Sequence, residues 1–153
     1  MSSTPSRPAL QPGLCHVSRM TVGARHTVPQ LAEWPTLANM PAVFATAMMV
    51  AFMEQTCVEA LAPYLDPGQR SVGTHVDMSH VAATPVGMMV EARVELVEVQ
   101  GRALLFKVAC RDEAGLIGEG LHRRAIIDLH RFEERVAAKA AGQAASKPPA
   151  RDP

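Results

Sequence analysis

The 153-residue chain balances 15 Lys and Arg against 15 Asp and Glu and carries no basic run able to follow a phosphate backbone, which argues against nucleic acid as a partner. It does not open with a charged segment followed by an apolar one, and its one long apolar stretch is broken by Glu54, Gln55 and Glu59. A soluble, cytoplasmic protein with no membrane partner is therefore expected. Cys15, Cys57 and Cys110 are widely spaced without a CxxC pattern, so they support neither a disulfide framework nor a zinc knuckle, and Cys57 and Cys110 read as reduced core fillers.

Residues 1–13 and 138–153 are rich in Pro, Ser, Ala and Gly and bury too little surface to offset ordering. They are expected as disordered tails around one folded domain over 14–137. A short strand is expected at Cys15 to Val22. From Gly23 to Met40, Pro29 and Pro35 interrupt scattered apolar residues (Val28, Leu31, Trp34, Leu37), which suits short helical turns that pack, and a lid over a pocket is the natural reading. A long helix then spans roughly Pro41 to Leu65, capped by Asn39 and closed by Pro63 and the PYLDPGQ segment. Being apolar nearly all round, it is expected to be central and wrapped by other structure.

After Gly68 the period changes to two. Val72, Thr74, Val76, Met78 and His80 fall on one side of an extended strand, with Gly73, His75, Asp77 and Ser79 on the other. Val90, Ala92, Val94 and Leu96 alternate with polar residues, the Gln100-Gly101 turn follows, and Leu104, Phe106, Val108 and Cys110 continue the pattern. A turn at Glu113 to Gly115 leads to a last strand from Leu116 to Leu129. The expected class is α+β: a curved antiparallel sheet wrapped around one long central helix, the hot-dog fold. Such units commonly pair edge to edge into dimers, which also removes an exposed strand edge.

Glu54 is the least expected residue on that helix. On a helical wheel Ala47, Val50, Ala51, Cys57 and Val58 all fall within about 60° of it, placing the acid in the middle of the face the helix is expected to bury. A desolvated carboxylate is costly unless a partner is supplied, so its presence invites a functional reading. The plain alternative is a rotated helix on which Glu54 shares a solvated stripe with Gln55 and Glu59. Thr46 lies about 12 Å along the axis and about 80° round from Glu54, so both can border one elongated cleft. Alone, a helical Thr commonly bonds back one turn, and a His on an apolar strand face is commonly a satisfied core residue. An inward His80 beside an inward Glu54 nevertheless looks like an acid–base pair. His75, Asp77 and His80 are a weaker metal candidate, because strand alternation sends His80 away from the other two. The HRR cluster at 122–124 reads as a solvated face from which Arg124 could reach an anionic group.

The segments PAVFATAMMVAFMEQTCVEALAPYL, SVGTHVDMSHVAATP and GEGLHRRAII, in that order within roughly Met20 to Val136, strongly resemble the fluoroacetyl-CoA thioesterase family of the hot-dog thioesterase superfamily. The resemblance implies hydrolysis of a short acyl-CoA thioester by a catalytic set of Thr46, Glu54 and His80, with no metal or organic cofactor. It implies that Gly73 borders the acyl group, that Arg124 lies near the acyl pocket, and that a homodimer binds the acyl-CoA at or near its interface. It also implies substrate contacts from Leu37, Met40 and Phe44. The chain departs from the family pattern at Leu37 and Met40, which stand in the lid stretch where the family has aromatic residues, and at Ala47, where it has glycine. Adaptable Met40 gives no basis for selecting fluorine. A hot-dog protein that binds an acyl-CoA without turnover, and an enoyl-thioester hydratase, are the rival readings.

Overall fold

The computed structural model describes residues 7–31 and 33–142. Strand β1 (Cys15–Thr21) is followed by three short 3-10 turns at 24–26, 28–30 and 35–37, helix α1 (Thr46–Leu61), and strands β2 (Gln69–Met78), β3 (Met89–Gln100), β4 (Ala103–Asp112) and β5 (Leu116–Asp128). Helix α2 (Leu129–Ala140) ends the described chain. The strands form one antiparallel sheet in the order β1-β3-β4-β5-β2, with β1 and β2 at its edges. The expected α+β class and the curved sheet around one helix are what the chain adopts.

Strict alternation explains the centre of the sheet. Val90, Ala92, Val94 and Leu96 of β3 and Leu104, Phe106, Val108 and Cys110 of β4 are all buried, and they meet Met49, Phe52, Met53, Cys57, Ala60 and Leu61 of α1. Gly101 takes φ +58° in the β3–β4 turn, a conformation that side chains resist. Burial pushes the Cys57 and Cys110 thiols up to about 12, in keeping with cysteines that act as small apolar fillers.

Several boundaries differ from expectation. Helix α1 ends at Leu61 where Leu65 was expected, and a 3-10 turn at 62–64 carrying Pro63 follows it. Helix α1 starts at Thr46 and not at Pro41, because the preceding backbone is spent elsewhere: Phe44 N–H donates to Thr84, Val28 N–H to Val43, and Ala45 N–H to His26. Asn39 therefore caps nothing in α1. The last strand stops at Asp128, whose carboxylate accepts from the Arg131 N–H and starts α2. Helix α2 runs through Ala140, past the expected domain end at 137. At the other end, Leu10 packs against the core and Arg7 pairs with Asp66, so residues 7–13 do not sit apart from the fold. Residues 1–6 and 143–153, the remainder of the expected tails, lie outside the described residues.

Candidate active site

The inner face of α1 is Met49, Phe52, Met53, Thr56, Cys57, Ala60 and Leu61. The buried face is therefore turned away from Glu54, which had been expected at the centre of it. Around Glu54 stand Ala47, Val50, Ala51 and Val58, small residues that are exposed or half-buried in the single chain. Neither sequence reading was right. Instead of being buried at the centre of the inner face, or free beside Gln55 and Glu59, Glu54 reaches the sheet with its side chain 38% exposed.

Two residues of β5 receive it. Arg124 Nη1 donates to Glu54 Oε1 at 3.1 Å, and His122 Nε2 lies 3.5 Å from the same oxygen. Arg124 is only 5% exposed, and β2 holds it from the other side: its Nε donates to Ser71 Oγ at 2.9 Å and its Nη2 to the Ser71 carbonyl at 2.8 Å. A buried guanidinium with several placed N–H groups and a facing carboxylate is the arrangement that makes such burial tolerable. Gly73 completes the wall, since a Cβ there would lie 2.5 Å from Glu54 Oε1.

Strand β2 presents these groups because of a bulge. Gly73 pairs with Arg124 and His75 with Arg123, so Thr74 is the additional residue. Before the bulge Ser71 and Gly73 face Arg124 and Glu54, whereas alternation alone had put Val72 on the inner side. After it Val76 stands opposite the buried His122, and Met78 packs against the core, as expected. His80 lies beyond the end of β2 and not on it.

There His80 Nδ1 is 2.7 Å from Thr46 Oγ1 at the first residue of α1. The imidazole is partly buried, its Nε2 has no hydrogen-bond partner among the described residues, and burial lowers its pKa against a backbone hydrogen bond at Ala82. Thr46 and His80 border a cavity of about 300 Å³ with Val28, Val43, Phe44 and Val81 to Ala83. Phe44 is 1% exposed and serves the core as well as this wall. Leu37 is half-buried and Met40 is 48% exposed, and neither borders that cavity.

Thus the chain joins Thr46 with His80, and Glu54 with Gly73 and Arg124, about 12 Å apart along α1. His122 was missed as a member of the second group because HRR reads as a charged surface cluster. The signal was there in register: His122 stands opposite Phe106 and Arg124 opposite Leu104, both inner-face residues of β4. Among the described residues no group of three or more His, Cys, Asp or Glu is placed to hold a metal ion, and no helix is long and apolar enough to cross a membrane.

Burial lowers the pKa of His26, His80 and His122 from 6.5. As pH falls through 6.5 the unfolded chain takes up protons that the folded chain resists, so stability is present above that pH and declines below it. Glu59, held low first by the Ser18 hydroxyl and then by Gln55, has the same sign at more acid pH. The urea midpoint is expected to drop between about pH 7.5 and about pH 5.5; a flat profile would contradict these lowered histidines.

The fluoroacetyl-CoA-specific thioesterase family matches residues 22–130. The fluoroacetyl-CoA thioesterase of Streptantibioticus cattleyicolor is 46% identical over 115 residues, covering 75% of this chain and 81% of that protein. A solved structure of a fluoroacetyl-CoA thioesterase superposes with a TM-score of 0.84 at 41% identity, covering 86% of this chain and 98% of that one. A thioesterase-superfamily member from Thermus thermophilus shares the fold at 24% identity, with a TM-score of 0.76 and coverage of 91% and 99%.

Proposed function

Because the chain belongs to the fluoroacetyl-CoA-specific thioesterase family, we propose that it hydrolyses a short acyl-CoA thioester to the free acid and coenzyme A. The observation that carries this reading is Glu54, a half-exposed carboxylate held by Arg124 against the glycine wall of β2. Glu54 either attacks the thioester carbonyl or takes a proton from the water that does. The carbon–sulfur bond breaks, the acyl carbon gains the water oxygen, and the departing thiolate is protonated with the help of His80. Thr46 hydrogen-bonds the carbonyl or the water. The free cysteines suit a reducing compartment such as the cytoplasm.

The working unit is a homodimer. Its support is that the Glu54 face of α1 is lined by small residues open to a neighbour, and that β2 is an edge strand with unpaired backbone groups. A two-fold axis beside α1 carries Thr46 and His80 of one copy toward Glu54 of the other, closing the gap left within a single chain.

Thiol release from a panel of short acyl-CoAs, acetyl-CoA and fluoroacetyl-CoA among them, tests the activity; binding without release would replace it with a carrier role. Mixed subunits test the shared site. A Thr46→Ala/His80→Ala chain and a Glu54→Gln chain, each inactive alone, are expected to regain activity when refolded together, because one of the two sites in each mixed dimer is then intact. No recovery, with mixed dimers demonstrated, would place the whole site within one chain.

A further inference from the structure

His122 has no step in the proposed reaction, yet it is 0% exposed and lies among Phe106, Arg124 and the inner wall of β2. Two hydrogen bonds fix its chemical state, and Glu54 Oε1, 3.5 Å from Nε2, is farther than a normal hydrogen bond and does not displace Arg124 there. Nδ1 is 2.9 Å from the His75 carbonyl oxygen, which only accepts, so Nδ1 carries a hydrogen. Nε2 is 3.0 Å from Arg124 Nη1, which only donates, so Nε2 presents a lone pair. The ring is therefore neutral and protonated at Nδ1. Burial lowers its pKa, with the Arg124 charge adding to this, and together they outweigh the His75 carbonyl and the Glu54 charge, which raise it; the lowered result agrees with a neutral ring.

The constraint passes outward from the ring. The bulge at Thr74 gives the His75 carbonyl its place, and that carbonyl sets the tautomer. One hydrogen of Arg124 Nη1 is then committed to His122 Nε2 and the other to Glu54 Oε1, while Ser71 holds Nε and Nη2. Turning the Nη1 edge away from Glu54 would break a buried hydrogen bond to His122, and an unmade buried bond is costly.

We infer that His122 is a positioning residue: its bare Nε2, locked in that tautomer by the His75 carbonyl, orients the Arg124 guanidinium that holds Glu54 for reaction. The inference rests on the reading of Glu54 as the reacting carboxylate. A histidine that merely filled space beside Phe106 would need neither this tautomer nor an acceptor atom facing Arg124.

Two readouts separate the cases. In full-length protein with 15N-labelled histidine, the long-range nitrogen–proton correlations of His122, identified by their loss in His122→Gln, should show a protonated Nδ1 and a bare Nε2. An Nε2-protonated or charged ring at pH 7.5 would overturn the inference whatever the activity. In kinetics, Gln can place its carbonyl oxygen near the Nε2 position and accept from Arg124, whereas the shorter Asn keeps a donor for His75 and cannot reach Arg124. His122→Gln should retain most of kcat, and His122→Asn should lose about tenfold or more with little change in KM. Equal activity in the two variants would leave His122 a structural residue. If the wild type releases no thiol from any acyl-CoA, the functional reading fails, and the tautomer alone decides whether His122 orients Arg124.

Discussion

Glu54→Gln is expected to lower kcat by about 10² to 10⁴-fold, the range that a positioned acid–base group contributes. The substitution is isosteric, and the amide oxygen still accepts from Arg124 Nη1 at the position of Oε1. Neither the fold nor acyl-CoA binding should suffer, since the inner face of α1 is untouched. What disappears is the negative charge that would attack the thioester or take a proton from water. Thiol release measured beside a thermal melt separates the two effects: a preserved melt with collapsed turnover is the expected pair. Turnover close to wild type would remove Glu54 from the chemistry.

Gly73→Ala should be nearly as damaging, by a different route. The new Cβ would lie 2.5 Å from Glu54 Oε1, closer than such atoms pack, and 3.2 Å from His122 Cε1, a tight contact. Gly73 is not among the glycines with positive φ, so the backbone itself accepts alanine. The nearest clash is with the free end of a flexible carboxylate, which can swing aside but leaves the buried Arg124 without that partner, and the fully buried His122 ring must also give. Stability should fall by about 1 to 3 kcal/mol while the fold is kept, and the acid moves from the position in which Arg124 holds it. A displacement of about 1 Å is enough for about a 10²-fold loss. A fully active Gly73→Ala protein would mean that the carboxylate does not react from where Arg124 holds it.

The parts of the fold that sequence made legible are those where one period runs uninterrupted. Val90 to Leu96 and Leu104 to Cys110 alternate strictly, and every expected core residue there is buried. Legibility fails where tertiary hydrogen bonding overrides a local signal. Asn39 and Pro41 look like a helix start, but the Phe44 and Ala45 N–H groups bond to Thr84 and His26 and hold that stretch out of the helix. It fails again at bulges, because one additional residue exchanges the two faces of a strand. Thr74 does this to β2, so Ser71 and Gly73 line the site where Val72 had been expected to face inward. On α1 the wheel leaves the buried face undecided, because the helix is apolar nearly all round and the small residues about Glu54 resemble a core stripe. Thr46, Glu54 and His80 stand out in the sequence; their division into two groups does not, since no local pattern encodes which helix face meets the sheet. His122 and Ser71 carry no motif of their own and become visible only through the strand register.

Arg124 joins three elements through one rigid, planar group: β5 that bears it, the β2 edge through Ser71, and α1 through Glu54. Strand β2 has a sheet neighbour on one side only, so in the single chain it belongs among the segments that open first when a sheet loosens. Opening of that edge takes the support from the guanidinium and so from the carboxylate, while β3, β4 and the buried face of α1 stay packed. One planar group thus couples an edge of the sheet to the alignment of Glu54: loosening of β2 in a separated chain would release the carboxylate before the core melts, and pairing of that edge with a second copy would secure it.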